Sequence, residues 1–298
     1  MPEKQGQTTG LILVALSGLC FGLLPVFNRQ AAAAGLGVPT LLSLRFLLAG
    51  GALWAWLLLR REPVTLRPAQ RTGFVFMGLL YTLGSGLYFY SSRRIPVALT
   101  ALLLYVYPAL VALWEWAAGR HPLKGRGLVA LLCSLAGTAL AVGSPGKATD
   151  PWGLLMALLT ALTYTVYMVL GARLQKGVPA LLSSAWIITS AGLLFLAAAL
   201  ASGSWQPLLA LKAWKPLAGL AVLCTLLPIP LLLAGMARIG AARASVMSTL
   251  EPLGAAFFGA VLLSEWLRPI QWIGGALILA AVILLSSERS EEEPLPEH

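Results

Sequence analysis

Charge is what this sequence has least of. Of 298 residues only 11% are Asp, Glu, Lys or Arg, and only two are His. A soluble protein carries about 25% charged residues and so has a surface to show water. This one does not, which excludes a soluble enzyme, a nucleic-acid-binding domain and a disordered chain. Acids are scarcer than bases, 11 against 21, and five of them (Glu288, Glu291, Glu292, Glu293, Glu297) crowd a solvated tail. Cysteine is limited to Cys20, Cys133 and Cys224, all inside apolar runs with no CxxC and no His cluster. That spacing supports neither a disulfide framework nor a metal site. No Walker motif and no GxGxxG opens a soluble βα unit, so ATP coupling within the chain is not expected.

Apolar residues fill the space that charge leaves. They make up 58% of the chain, and the mean hydropathy is +0.83. Hydropathy divides the sequence into ten segments: Thr9–Phe27, Val38–Leu59, Thr72–Ser92, Pro96–Gly119, Gly127–Gly143, Pro151–Gly171, Pro179–Ala201, Pro216–Ala237, Ala241–Leu263 and Pro269–Ser287. Each is close to the roughly 20 residues a transmembrane helix needs. The short alternating segments of a membrane β-barrel are absent. Helices satisfy their own backbone in lipid, so an all-α membrane protein with ten transmembrane helices is expected. The first run, after Lys4, is read as a helix rather than a cleaved signal, because no small-residue cleavage site follows it.

The basic residues set the orientation. With the N-terminus inside, thirteen fall on the inner side: Lys4, Arg60, Arg61, Arg67, Arg71, Arg120, Lys124, Arg126, Arg173, Lys176, Arg238, Arg243 and Arg289. Seven fall outside: Arg29, Arg93, Arg94, Lys147, Lys212, Lys215 and Arg268. The bias predicts a multi-pass protein of the inner (plasma) membrane with both termini cytoplasmic. The net charge of +10 is then loop placement against anionic headgroups, with no nucleic acid implied.

The two halves resemble each other. Ile95-Pro96-Val97-Ala98 through Tyr107-Pro108 aligns with Ile239-Gly240-Ala241-Ala242 through Glu251-Pro252 at an offset of 144. Val38-Pro39 with Leu41-Leu42-Ser43 aligns with Val178-Pro179 and Leu181-Leu182-Ser183 at 140, and Ser17, Cys20 and Phe21 with Thr160, Thr163 and Tyr164 at 143. Five spans per half is an odd number, so the second half enters the membrane from the opposite side. The expectation is a five-plus-five inverted repeat around a central cavity. Residues 9–143 would form the first half, 151–287 the second, and 288–298 an acidic cytoplasmic tail. Such architecture belongs mainly to transporters with the solute near the midplane.

Several motifs carry a resemblance to a family: Ser43-Leu44-Arg45-Phe46, Ser248-Thr249-Leu250-Glu251-Pro252-Leu253, Leu262-Leu263-Ser264-Glu265 and Gln271-Trp272-Ile273-Gly274-Gly275. On these the chain resembles the drug/metabolite transporter superfamily, with two EamA-type halves, over about residues 10 to 286. The first half departs from the pattern: Tyr107 stands where the acid would precede proline, and His121 where Glu265 would align. The resemblance implies a ten-helix basket, alternating access and, in its amino-acid-exporting branch (YddG-like), export of amino acids and related metabolites.

Within the spans few groups can do chemistry. Glu251 lies near the middle of its span, where a carboxylate costs about 2.5–3.5 kcal/mol on insertion scales. It could bind a substrate ammonium, carry a proton, or hold a kink beside Pro252. Arg45 could grip a substrate carboxylate in a fork, pair with an acid, or snorkel outward; its long stem favours a structural role. Glu115 and Glu265, next to tryptophans, read as boundary residues. Pro108 and Pro252 are repeat-related and are the expected hinges. Tyr81, Ser85 and Tyr88 share one helical face, as do Thr160, Thr163, Tyr164 and Tyr167. With Tyr105, Trp186, Ser245, Ser248 and Thr249 they form the expected substrate-binding wall, rings for the apolar part of a solute and hydroxyls for the polar part. Gly78, Gly84, Gly86, Gly254, Gly259, Gly274 and Gly275 would seat neighbouring helices.

The sequence therefore predicts a membrane exporter of amino acids, with a small-molecule substrate, no cofactor and a functional monomer. A proton-coupled exporter of drugs or nucleosides is the alternative. An intramembrane enzyme is disfavoured because the spans hold no His and no Asp for acid–base chemistry. A channel is disfavoured because such pores rely on oligomeric rings.

Overall fold

Leu, Ala and Val runs leave the backbone little choice but to bond to itself, and the computed structural model shows that outcome. It describes residues 2–62, 64–118, 125–142, 150–174, 178–232, 234–235, 238 and 250–292, and among them every regular element is helical. In chain order these are α1 (Pro2–Gly22), α2 (Leu24–Ala33), α3 (Val38–Leu59), α4 (Pro68–Ser91), α5 (Val97–Leu104), α6 (Tyr107–Ala117), α7 (Gly125–Val142), α8 (Pro151–Leu174), α9 (Ala180–Ala201), α10 (Pro207–Lys212) and α11 (Trp214–Ala218). A π-helix, α12 (Gly219–Leu226), then α13 (Leu250–Leu263) and α14 (Pro269–Glu292) complete the set.

Proline punctuates the chain. Helices α2, α3, α4, α6 and α10 have a proline in their first two positions, and α8 and α14 begin on one. Proline's fixed φ and missing N–H suit a first helical turn, where that donor would be orphaned anyway. The same rule splits two spans. Pro25 restarts the first after Leu23, and Pro108 restarts the fourth after a turn at Tyr105-Val106.

Five helical stretches are long and apolar enough to cross a membrane: Gln7–Ala33, Val38–Leu59, Pro68–Ser91, Leu181–Ala201 and Trp214–Leu232. Five shorter apolar ones lie within residues 99–111, 128–137, 151–167, 253–263 and 269–281. The burial pattern is inverted relative to a soluble protein. Leu59, Leu208, Phe257 and Trp266 are exposed, while Asn28, Arg45, Ser92 and Thr225 are buried. Large exposed apolar area of this kind belongs against lipid.

The first span runs farther than its hydropathy suggests, to Ala33 instead of Phe27. Asn28 and Arg29 end the apolar run without ending the helix, because both side chains find partners. Asn28 Nδ2 donates to Phe89 O at 2.9 Å and Ser92 Oγ at 2.7 Å, and Arg29 donates to the Ser92 and Ile95 carbonyls at 2.6 and 2.8 Å.

Neighbouring helices pair α3 with α9, α7 with α14, α4 with α8 and α9, and α1 with α13. Glycines permit the closest approaches. A Cβ on Gly137 of α7 would stand 2.6 Å from the Gly274 carbonyl of α14, and one on Gly22 would stand 3.0 Å from Gly254 and Ala255. The largest apolar cluster gathers α3, α4, α9 and α12 around Phe46, Phe89, Leu182 and Leu220.

Candidate functional site

A cavity opens where α1, α2, α3, α4, α5, α6, α8 and α13 converge, and tyrosine dominates its wall. The chain has seven tyrosines, and six of them (Tyr81, Tyr88, Tyr105, Tyr107, Tyr164 and Tyr167) line this one space. Five of these rings form a ladder. Tyr81 meets Tyr167 at 5.7 Å, Tyr167 stacks on Tyr164 at 5.7 Å and 12°, Tyr164 meets Tyr107 edge-on at 4.7 Å, and Tyr107 meets Tyr105 at 5.9 Å. Offset and edge-to-face contacts at such distances are the favourable geometries for aromatic pairs. The ladder ends on a carboxyl group: Tyr105 Oη donates to Glu251 Oε2 at 3.2 Å.

The expected wall is only partly the observed one. Tyr81, Ser85 and Tyr88 all face the cavity, as their shared helical face requires, and so do Tyr105, Thr160, Tyr164 and Tyr167. Thr163 does not line it: its hydroxyl bonds its own helix at Leu159 O, and its methyl lies against Gly84. Trp186 is likewise outside the lining. Its indole sits at 81° to Trp54 under the Arg71 guanidinium, because α9 turns that face toward α3 and α4. Ser245, Ser248 and Thr249 lie outside the described residues.

Tyr107, Phe21 and Phe89 are cavity residues that sequence spacing passed over. On an unbroken helix Tyr105 and Tyr107 would be about 200° apart. The turn at 105–106 re-aims them to one side. The signal was Pro108, which forces that break.

Arg45 is the main surprise. It neither snorkels nor pairs with an acid: it is 1% exposed and lines the cavity. Nε donates to Thr225 Oγ1 at 2.7 Å and Nη2 to Cys224 O at 2.9 Å. The guanidinium lies over the rings of Phe46 and Phe89, at 4.8 and 5.4 Å. Among the described residues the ion pairs are Arg29–Glu265 and Arg94–Asp150, and Arg45 is in neither.

One end of the bundle is held by a polar latch. Glu265, expected as a boundary residue, forms an ion pair with Arg29 at 3.3 Å and accepts from the Val97 backbone N–H at 3.0 Å. Arg93 donates to Asn28 Oδ1 and Leu36 O, both at 3.0 Å. Arg94 donates to Asp150 Oδ2 at 2.7 Å, and that bond holds the Asp150 carboxyl below its usual pKa. Residues 28–37, 91–97, 150 and 264–268 are thereby tied together.

Similarity to known proteins agrees with a cavity enclosed by apolar helices. The model of the EamA-like transporter family matches residues 8–143 and again 151–287. The chain belongs to the EamA-like transporter family. It is thus a membrane transporter of the drug/metabolite transporter superfamily, with two EamA-type domains. It is 27% identical to YcbK of Bacillus subtilis, an uncharacterized transporter, over 89% of this chain and 88% of that one. It is 24% identical to the uncharacterized inner membrane transporter YedA of Escherichia coli K12, over 92% and 91%. A solved crystal structure shares the fold with a TM-score of 0.68 at 19% identity, covering 96% of this chain and 99% of that one.

Proposed function

We propose that this transporter exports amino acids, aromatic ones included, and related small metabolites by alternating access. The observation that carries the reading is the cavity itself: six tyrosines, five of them in a ladder that ends on Glu251. Rings contact the apolar part of an amphipathic solute, and a carboxylate attracts its ammonium. A phosphate-rich solute would want clustered Arg and Lys, which the described part of the wall does not offer.

The ten-helix, five-plus-five inverted reading fits the neighbour pattern. Packing of α3 on α9, α7 on α14 and α5 on α13 joins segments that correspond in the two halves. Contacts of α1 with α13 and of α5 and α6 with α8 exchange with each other under the same correspondence. Both termini are taken as cytoplasmic in an inner-membrane protein that works as a monomer. Three of the arginines that run against the charge bias, Arg29, Arg93 and Arg94, are each bonded at the latch, which is then the outer end. Pro108 sits just past the helix break and serves as a hinge; Pro252, in the first turn of α13, is its partner.

Flux from proteoliposomes loaded with radiolabelled amino acids, with and without a pH gradient, tests the proposal. Saturable, mutually competitive flux is expected; no flux of any amino acid refutes it. A proton-coupled variant of the mechanism rests on Glu251, a carboxylate on the cavity wall outside the ion pairs of the described residues. Under it, Glu251→Gln abolishes gradient stimulation, and unchanged stimulation removes proton carriage by this residue.

A further inference from the structure

We propose that Arg45 is the receptor for a carboxylate group of the transported solute, and that a π-helical turn of the second half positions it. The proposal rests on the amino-acid reading above and adds to it the second pole of the binding site.

A guanidinium stays charged in a protein. Arg45 is buried, yet among the described residues every partner it has is neutral: one hydroxyl, one carbonyl and two aromatic faces. Such partners orient a cation without cancelling it. A buried charge with no counter-ion among the described residues is unfavourable, and a bound anion would relieve it. Among the described residues only two of its five N–H groups are used, and the side chain borders the cavity. Glu251 is on the same wall. One negative and one positive group facing the same space, with rings between, match a zwitterion of no net charge. An amine or an organic acid alone would satisfy only one pole.

The positioning has a covalent cause. Pro228 follows Cys224 by four residues and has no N–H. Pro228 has no N–H to offer the Cys224 carbonyl at the α-helical spacing, and Arg45 Nη2 donates to that carbonyl from the side. In the π-helix the Thr225 hydroxyl bonds back five residues to Leu220 O at 2.8 Å, which turns its oxygen toward Arg45 Nε. π-turns inside helices are frequent at functional sites. Arg45 comes from the first half and both its hydrogen-bond acceptors from the second, so a ligand on the guanidinium touches the interface that alternating access must rearrange.

Isothermal titration of the full-length purified protein with three probes tests this: L-phenylalanine, its methyl ester (no carboxylate) and 3-phenylpropionate (no ammonium). In the wild type L-phenylalanine binds best. Arg45→Gln weakens L-phenylalanine and 3-phenylpropionate by about 10- to 100-fold, the range of one charge-assisted hydrogen bond, and leaves the ester unchanged. If Arg45→Gln does not fold, Thr225→Val carries the test: it lowers the phenylalanine-to-ester preference, and Thr225→Ser restores it. An ester that binds as tightly as the amino acid, or a preference unmoved by Thr225→Val, makes Arg45 a strut and overturns the proposal with export intact. No binding of any probe by folded protein overturns the amino-acid reading and this proposal together.

Discussion

Replacing Glu265 should loosen one end of the bundle by a calculable amount. Its carboxylate stands 3.3 Å from Arg29 Nη2, with side chains 21% and 29% exposed. At an effective dielectric of about 20 the gross attraction is about 5 kcal/mol. Partial exposure and desolvation reduce such pairs to about 1 kcal/mol net. Glu265→Gln loses that charge but keeps an oxygen for the Val97 N–H. It should shift the closed–open balance of this end about fivefold. Glu265→Ala also orphans Val97 N, a hydrogen bond to a charged group worth about 1.5–3 kcal/mol, so the shift should approach about a hundredfold. The assay is labelling of Leu24→Cys, a cavity position on α2, by a membrane-impermeant maleimide added at the latch side. The native cysteines are replaced by Ala in this background. Labelling should rise in the order wild type, Glu265→Gln, Glu265→Ala. Equal rates in three folded proteins would show that the latch does not hold this end shut.

Other outcomes follow from single contacts. Gly137→Leu forces a side chain onto the Gly274 carbonyl and Ile278 and should cost about 1–3 kcal/mol by overpacking. In a thermal melt in detergent its Tm should fall, whereas that of Gly51→Leu, with open space around it, should not. Tyr164→Leu removes the ring between Tyr167 and Tyr107; apparent affinity for L-phenylalanine should fall about two- to tenfold, with L-alanine little changed, in competition flux. Asp150 has its pKa lowered by Arg94, so the stabilisation it gives is present above the ordinary aspartate range and is lost as pH falls through the depressed value. The melting temperature should therefore drop on acidification in the wild type and less steeply in Asp150→Asn.

The sequence by itself determined the solvent and the helices. Scarce charge leaves no watery surface, and apolar runs near 20 residues bond their own backbone in lipid. Prolines mark where those helices start and break, and the offsets near 144 and 140 displayed the repeat. Tyr81, Ser85 and Tyr88 were legible as one face because a continuous helix fixes angle by spacing. Tertiary structure decided what spacing cannot. Asn28 and Arg29 continue a helix because α4 and its following turn offer carbonyls and hydroxyls. Trp186 leaves the wall because α9 faces α3 and α4 there. Tyr107 joins the wall through a broken turn, and Arg45 turns inward to a carbonyl 179 residues away and the hydroxyl beside it. Hydropathy is additive along the chain, so it can be read locally. The direction of a buried polar group depends on which partner another helix brings to it, and only the packed bundle sets that.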